Sequence, residues 1–194
     1  MTSLRNIFFG LSLFFVSVYL PVMSLSYTNS WSYELNCHFH ERCDRMGMER
    51  VERYADNLTA FFRHQQPLQG SWTEKERSHL KEVRDLYDLI LPLFGLALAL
   101  VIVLGRKANR ARTAAVNLAV VVVLLVALPW FKPFWQQIFH AALFDNLMWK
   151  NYPTDVSWYI TPRLYFRNAA IYIVSWGLLI NLAVYFQARR QSKT

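Results

Sequence analysis

Glycine and cysteine are scarce in this chain, and acidic residues are unevenly placed along it. Each of these features excludes some classes of function. Six of the 194 residues are glycine, and none belongs to a Gly-rich loop of the kind that cradles nucleotide phosphates. A Gly-x-Ser-x-Gly sequence is also missing, which argues against an acyl-enzyme on a serine nucleophile. The sequence therefore indicates neither a nucleotide-dependent enzyme nor a serine acyl-enzyme.

Charge is absent from four long stretches of the chain. They comprise residues 7–25, 89–104, 114–131 and 168–187. A helix that crosses a bilayer needs about 20 mostly apolar residues, with about 17–25 as the usual range. The second stretch is the shortest and reaches this length when it is read as 86–105. We therefore predict four transmembrane helices, at about 7–25, 86–105, 114–131 and 168–187.

The first apolar stretch has two interpretations, a cleaved signal peptide or a retained helix. Its 19 uncharged residues exceed the apolar core of a signal peptide, which is usually about 7–15 residues long. The tripeptide Ser24-Leu25-Ser26 is also a poor cleavage site, since signal peptidase prefers small residues around the cut. Both features favour a helix that is retained in the membrane.

Basic residues outnumber acidic ones by 21 to 13, and the surplus is confined to three places. The N-terminus, the 105–113 loop and the C-terminal tail carry eight Lys or Arg and no acidic residue. Such an excess is typical of cytoplasmic segments. We predict that both termini and this loop are cytoplasmic and that segments 26–85 and 132–167 face outward. The net charge of +8 then reflects orientation in a membrane, and nucleic-acid binding is not supported.

The two outer segments carry features of membrane contact. Six of the seven Trp lie in or next to them, and amphipathic rings prefer the headgroup level. Residues 46–63 have apolar side chains at helical spacing opposite charged ones, which predicts an amphipathic helix lying on the bilayer. The predicted fold is an all-α integral membrane protein, one domain over residues 1–194. Its four transmembrane helices carry an extracytoplasmic, membrane-hugging cap of helices and loops.

The only two cysteines, Cys37 and Cys43, stand close together in the sequence CHFHERC. With His38 and His40 they are ligand types that zinc or copper binds. Four ligands within seven consecutive residues rarely converge on one metal ion, and the segment is predicted to lie on the oxidising side. A small disulfide loop is therefore favoured, with a metal site and two free thiols as the open alternatives.

His79 lies in a helix that runs directly into the second span. Thr73 and Glu76 form a capping-box pattern at its start. His79 then shares one helical face with apolar residues, and Arg77 and Lys81 lie roughly opposite. Ten residues separate His79 from the apolar run at 89, which is a rise of about 15 Å. The imidazole is thus predicted to point toward the bundle.

His140 lies at a matching depth beyond the third span. It follows Phe131, the end of that span, by nine residues. The short 105–113 loop makes the second and third spans antiparallel neighbours. A helix is predicted over 134–149, and the side chains on its His140 face are Gln136, His140, Leu143, Phe144 and Leu147. A lone histidine here would indicate interfacial packing, whereas two histidines at one depth favour a site.

Two motifs resemble those of a known membrane enzyme family. Residues 72–84, WTEKERSHLKEVR, resemble its signature T-x-x-E-x-x-H-[LM]-x-[DE]-V-[KR] before a span. Its partner pattern, F-H-x-x-x-F…W…P…F, is similar to the residues Phe139, His140, Phe144, Trp149, Pro162 and Phe166. Both look like bacterial lipoprotein intramolecular transacylases, four-helix membrane proteins with two essential outer histidines. The chain departs from the pattern at Arg163, where an acidic residue is expected.

The resemblance implies acyl transfer within one lipid-modified protein, without a cofactor. The sn-2 acyl chain of an S-diacylglyceryl cysteine would move to the α-amine of that cysteine, which gives an N-acyl lyso-lipoprotein. His140 is the expected base on the amine and His79 the expected acid on the leaving oxygen, with the reverse assignment open. Candidate substrate-binding residues are Tyr87, Phe144, Asn146 and Trp149, of which Asn146 and Tyr87 are also candidate oxyanion donors. The expected location is the bacterial inner membrane, and the partners are diacylglyceryl lipoproteins and membrane lipid.

Other classes of function remain open at this point. One is an outer-face metal- or haem-handling membrane protein that uses His38, His40, His79 and His140, for which a purified sample should carry stoichiometric metal. Another is a lipid esterase or acyltransferase that uses the same two histidines with a different acceptor. A third is a non-catalytic membrane subunit, in which both histidines would be expendable.

Overall fold

The computed structural model describes residues 2–28 and 30–191, and that part of the chain is helical without strands. The helices, in chain order, are α1 (Thr2–Tyr27), α2 (Trp31–Cys37), α3 (Arg42–Met46), α4 (Met48–Phe62), α5 (Glu74–Gly105), α6 (Arg110–Ala127), α7 (Phe131–Pro133), α8 (His140–Leu143), α9 (Val156–Ile160) and α10 (Arg163–Gln191). A 3₁₀ turn at Leu128–Trp130 and a π-helix at Phe134–Phe139 join α6, α7 and α8 into one helical run.

Four of these helical runs are long and apolar enough to cross a membrane. They are Leu4–Tyr27, Glu74–Gly105, Arg110–Leu143 and Arg163–Gln191. The stretches predicted as spans fall within them, and the runs extend past the predicted ends because charged and aromatic residues continue the helical hydrogen bonding. The all-α membrane fold expected from the sequence is confirmed.

The chain divides into two compact units, of which the first holds most of the apolar helix length. Its described part comprises residues 2–22, 89–128 and 170–191. Here α1 and α6 approach closely at Gly10, where a Cβ atom would lie only 2.7 Å from a methyl carbon of Thr113. Small residues at such contacts let neighbouring helices in a membrane pack tightly.

Three buried polar side chains tie α1, α6 and α10 together inside this first unit. Asn117 donates hydrogen bonds to the Gly10 carbonyl at 3.2 Å and to Oδ1 of Asn181 at 3.1 Å. The amide of Asn181 in turn donates to Ser17 Oγ at 3.1 Å. Asn181 and Ser17 are fully buried. Because lipid offers such groups no partner, the network favours one rotation of each helix against the others.

The second unit comprises residues 23–88 and 129–169 and has a core of its own. The core side chains come mainly from α2, α4, α9 and the start of α10, and among them are Tyr33, Val51, Leu58, Phe61, Trp72, Ile160 and Tyr165. The apolar face of α4 is therefore buried in protein, with Val51 fully buried and Leu58 only 2% exposed. The prediction that this face lies on the bilayer is wrong, since α2 and α9 supply the apolar partners that lipid was expected to provide.

Glu76 joins the start of α5 to α9 within this second unit. The predicted capping box is present, since Thr73 N donates to Glu76 Oε2 at 2.9 Å and Glu76 N donates to Thr73 Oγ1 at 3.3 Å. The other carboxylate oxygen accepts hydrogen bonds from the backbone N and the Oγ of Ser157, each at 2.7 Å. Glu76 is only 2% exposed. Full hydrogen bonding makes that burial of a carboxylate tolerable.

Cys37 and Cys43 form a disulfide that links α2 to α3, with their Cα atoms 5.5 Å apart. Cys43 is fully buried. The bridge closes a tight loop around His38 and His40, and it holds the short helix α3 against the core of the second unit.

Candidate functional site

His140 owes its position to an irregular stretch of helix. Pro133 has no amide hydrogen, and the π-helix Phe134–Phe139 follows it directly. Backbone hydrogen bonds in a π-helix join residues five apart in place of four, so the regular α-helical spacing is interrupted just before His140. Gln136 is accordingly exposed whereas His140 is only 5% exposed. The predicted shared face of Gln136 and His140 is wrong for this reason.

A backbone carbonyl fixes the orientation of the His140 ring. Its Nδ1 lies 2.6 Å from the carbonyl oxygen of Trp135, which can only accept a hydrogen bond. The proton is therefore on Nδ1, and Nε2 keeps a free lone pair. The ring lies 4.2 Å from Trp149 and 4.7 Å from Trp135, measured between centroids. This wall of aromatic rings excludes water from most of the imidazole.

His79 faces His140 from α5, with 6.4 Å between the ring centroids. The His79 side chain is 16% exposed, and its ring meets Phe144 edge-on at 4.7 Å. Phe144 also contacts His140 at 5.8 Å, so one aromatic side chain touches both imidazoles. The structure thus brings together the two histidines that the sequence predicted to share a depth.

Residues 144–155, which we call the strap, cross the histidine pair after α8 ends at Leu143. Phe144 is in extended backbone conformation, and the predicted helix to 149 is wrong beyond Leu143. The strap supplies Phe144 and Trp149 as ring contacts, and Asn146 Nδ2 donates to Glu82 Oε1 at 2.8 Å. At its far end Asp155 forms an ion pair with Lys75 and accepts a hydrogen bond from Thr73 Oγ1 at 3.2 Å. The strap is thus attached to α5 at both ends.

Tyr87, one of the candidate substrate-binding residues, lies away from the two histidines. The Tyr87 hydroxyl accepts from Ser26 Oγ at 3.1 Å, and its ring packs on Phe62 at 5.2 Å. Eight positions along α5 also separate Tyr87 from His79, a rise of about 12 Å. Asn146, the other predicted oxyanion donor, directs one amide hydrogen at Glu82 instead.

Two of the other histidines, His40 and His64, have partners of their own. His40 Nε2 lies 2.9 Å from the Asn36 amide nitrogen, and Asp88 binds the His64 ring at 2.9 Å. Partial burial, and then the positive charge of Arg42, lower the pKa of His40. Within residues 2–28 and 30–191, no three His, Cys, Asp or Glu side chains are grouped so that they could hold a metal ion.

Two neighbours of the histidine pair were missed by the sequence interpretation. Glu82 approaches Nδ1 of His79 with its Oε2 at 3.4 Å, and Trp135 presents its carbonyl to His140. Glu82 is three residues after His79, and this helical spacing was a usable signal. The role of the Trp135 carbonyl depends on the π-helix, which the sequence gives no sign of.

Comparison with known proteins places the chain in a family. Residues 7–166 match the family model described as "Lipoprotein intramolecular transacylase Lit". No curated protein matches the chain. The fold is similar to a crystal structure of the membrane integral lipoprotein intramolecular transacylase Lit from Bacillus cereus, at 19% identity and a TM-score of 0.84. The alignment covers 100% of this chain and 96% of that one.

Two variants of the same Bacillus cereus protein, each with one histidine replaced, are similar as well. The arginine variant has 19% identity and a TM-score of 0.83, with 100% of this chain and 92% of that chain covered. The alanine variant has 18% identity and a TM-score of 0.79, and the coverage is 100% and 94%. At such identities these likenesses establish the fold.

Proposed function

The chain belongs to the lipoprotein intramolecular transacylase family, and from that premise we propose the reaction and the residues that carry it out. The protein is an acyltransferase. Its substrate is a bacterial lipoprotein whose N-terminal cysteine carries a thioether-linked diacylglyceryl group. The enzyme moves the acyl chain from the sn-2 oxygen of the glycerol to the α-amine of the same cysteine. The product is an N-acyl lyso-lipoprotein.

The bonds and protons of this reaction balance without a co-reactant. The amine nitrogen attacks the ester carbonyl carbon, a C–N bond forms, and the C–O bond to the glycerol breaks. The amine gives up one proton and the departing alkoxide takes one up, so the net change is a proton moved from nitrogen to oxygen. An ester becomes an amide, which is downhill, and the residues around the histidines need only position the groups and transfer the proton.

The two histidines are suited to opposite halves of that transfer. Nε2 of His140 has a free lone pair because Nδ1 donates to the Trp135 carbonyl, and we assign it as the base that receives the amine proton. Burial disfavours the protonated ring of His79, the adjacent Glu82 carboxylate acts against that effect, and we assign His79 as the acid that protonates the alkoxide. The observation that carries the proposal is the 6.4 Å separation of these rings inside an aromatic enclosure.

Positioning supplies much of the rate in this proposal. Nucleophile and electrophile belong to one molecule, so correct orientation can lower the barrier by about 7–11 kcal/mol. Phe144 and Trp149 would hold the glyceryl ester between the imidazoles, since both rings already contact His140. Closure of the site also excludes water, which would otherwise hydrolyse the ester in place of the amine.

We further propose that the protein resides in the bacterial cytoplasmic membrane with both termini inside and the histidine pair on the outer face. The charge asymmetry of the sequence supports this orientation. The lipid-bearing cysteine of a lipoprotein lies at that surface, with its acyl chains in the outer leaflet. The proposed spans are residues 7–25, 86–105, 114–131 and 168–187 of a single membrane domain.

The proposal is tested in a strain whose lipoproteins retain free diacylglyceryl-cysteine termini. After expression of the chain, mass spectrometry of one lipoprotein's N-terminal peptide should detect the N-acyl lyso form. His79→Ala and His140→Ala should each lower its formation by about 10²–10⁴-fold, the usual loss when a proton-transfer residue is removed. The double variant should be little worse than either single one, because the two residues act as a unit.

The matched controls are histidines that lie outside the pair. His38→Ala, His40→Ala and His64→Ala should convert the lipoprotein at near wild-type rate, since His40 and His64 bond to Asn36 and Asp88 instead. Near wild-type conversion by His79→Ala or His140→Ala would end the two-histidine mechanism. Release of free fatty acid without N-acylation would instead indicate an esterase, and metal at one ion per chain would indicate a metal-handling protein.

A further inference from the structure

Glu82 occupies an unusual place between the histidine pair and the strap. Its Oε2 lies 3.4 Å from His79 Nδ1, and its Oε1 accepts a hydrogen bond from Asn146 Nδ2 at 2.8 Å. Asn146 is itself fixed, because its Oδ1 accepts from the backbone N of Met148 at 2.9 Å. A continuous series of polar contacts therefore runs from the strap backbone to the ring of His79.

The distance along the chain distinguishes this arrangement from an ordinary surface pair. Glu82 and His79 are three residues apart on α5, and such a helical pair alone is a weak interaction. Asn146 comes from a different element, 64 residues further along. A carboxylate shared between a helix neighbour and a distant amide is restrained at both oxygens, so its position is set by the tertiary structure.

We propose that Glu82 is a positioning residue for His79 and that Asn146 holds Glu82 in place when the strap covers the site. This inference rests on the proposed transacylase function. A carboxylate at Nδ1 keeps the proton on that nitrogen and directs Nε2 toward the substrate. It also stabilises the imidazolium that His79 must be in order to protonate the departing alkoxide.

The other charged groups around His79 act in the opposite sense. Besides Glu82, the titratable side chains that face it are His140 across the pair and Lys75 one turn earlier on α5. Burial of the ring disfavours a positive charge on His79 most, and the charges of His140 and Lys75 add to that effect. Glu82 is thus the one group among these neighbours that favours the protonated acid.

The arrangement connects closure of the strap to activation of the acid. Phe144 and Trp149, which enclose the two rings, lie on the same strap as Asn146. When the strap lies over the substrate, Asn146 reaches Glu82 and Glu82 aligns His79. When the strap is displaced to admit or release lipid, Glu82 loses one of its two partners and the acid is less well aligned. Proton donation would then be efficient only in the closed site.

The test is the pH–rate profile of purified enzyme in lipid vesicles with a diacylglyceryl-lipopeptide substrate. Glu82→Gln should lower kcat by about 10- to 100-fold, by analogy with the range found for hydrogen-bond partners of metal-bound histidines. In the pH–rate profile of this variant, the alkaline limb marks the pH at which His79 loses its proton. We expect that limb to move by about one unit to lower pH, because the Glu82 charge that favours the His79 imidazolium is gone. Glu82→Asp keeps the charge, so its alkaline limb should stay near that of the wild type while kcat falls. Asn146→Ala should shift the limb in the same direction as Glu82→Gln, by less.

The matched control is Asp85→Asn, which removes an exposed carboxylate from the same helix. It should leave both kcat and the limb unchanged. A wild-type profile for Glu82→Gln would overturn the proposal, and so would a lower kcat with an unmoved limb, since that is the result of a purely structural role. If Glu82→Gln does not insert, the limb of Asn146→Ala decides the question, and an unmoved limb there overturns the proposal. Activity of the wild type and loss in His79→Ala are measured alongside, so that failure of the transacylase assignment is recognised separately.

Discussion

At the scale of single residues, the two imidazoles differ in what holds their Nδ1 atoms. His140 donates to a neutral carbonyl inside a wall of aromatic rings, whereas His79 lies beside a carboxylate. Burial disfavours the charged form of both rings, and only at His79 does a carboxylate act against that effect. One residue type can therefore serve as base and as acid in a single site.

The loss of rate at low pH depends on protonation of the proposed base, His140, and of the substrate amine. The proposed base, His140, must be neutral to accept a proton; an imidazole has an ordinary pKa of about 6.5, and burial of the ring further favours the neutral form. The substrate amine, with an ordinary pKa of about 7.7–8.0, must also lose its proton before it attacks. The rate of N-acylation should therefore begin to decline as the amine is protonated and should be low below about pH 6. Initial rates in vesicles between pH 5 and 9 would measure this, with circular dichroism as the control for folding. A flat rate down to pH 5 would contradict the assignment of an imidazole base.

The histidines themselves could be predicted from the sequence, but their partners could not. The equal depth of His79 and His140 followed from helix rise and a short loop, which are local properties. Trp135 contacts His140 through a π-helix, and Glu82 gains its second partner from the irregular strap. Both contacts depend on departures from regular helix, which periodicity does not reveal.

At the scale of helices, α4 shows how one pattern fits two environments. An apolar face opposite a charged face is expected both for a helix on a bilayer and for a helix on a protein core. The choice was settled by the segments that pack on it, α2 and α9, whose lengths of seven and five residues gave only a weak signal in the sequence. The burial of Leu58 and Phe61 in that core has a measurable consequence.

Leu58→Ala should destabilise the protein by about 2–5 kcal/mol, because it removes buried methyl groups and leaves a cavity. Arg53→Ala on the exposed face of the same helix is the control and should change the free energy of unfolding by less than about 0.5 kcal/mol. Thermal unfolding of both variants in detergent would measure the difference. Equal stability of the two would mean that the apolar face of α4 has no protein core behind it.

The Cys37–Cys43 bridge belongs to the same scale, since it joins α2 to α3. Replacement of both by Ser should lower the free energy of unfolding by about 2–3 kcal/mol, mainly through greater freedom of the unfolded chain. Turnover should change less, because the bridge contacts neither imidazole. Mass spectrometry after alkylation without reductant should find neither cysteine alkylated in the wild type, because both sulfur atoms belong to the bridge. Two alkylated cysteines in that experiment would contradict the bridge.

At the scale of the whole molecule, the prediction concerns orientation in the membrane. In a background with Cys37 and Cys43 replaced, Ser71→Cys and Asn151→Cys should react with an impermeant maleimide added to intact cells. Asn109→Cys should react only after lysis, because it lies within the basic 105–113 loop that the charge distribution assigns to the cytoplasm. The opposite pattern would invert the topology and put the histidine pair inside the cell. Hydropathy was enough to predict the four long apolar helices, since a bilayer imposes both length and polarity on a span.

The buried polar side chains of the first unit also have a consequence for synthesis of the protein. Ser17, Asn117 and Asn181 are contributed by helices that leave the ribosome far apart in time. Until the last helix has been synthesised, Asn117 and Ser17 lack the partner that Asn181 supplies. In a nascent chain with only three helices, Asn117 can keep its bond to the Gly10 carbonyl and Ser17 its bond to the Phe14 carbonyl, but each lacks one partner. Synthesis of α10 supplies the missing amide, so these side chains reach their full set of hydrogen bonds only when the last helix is in place.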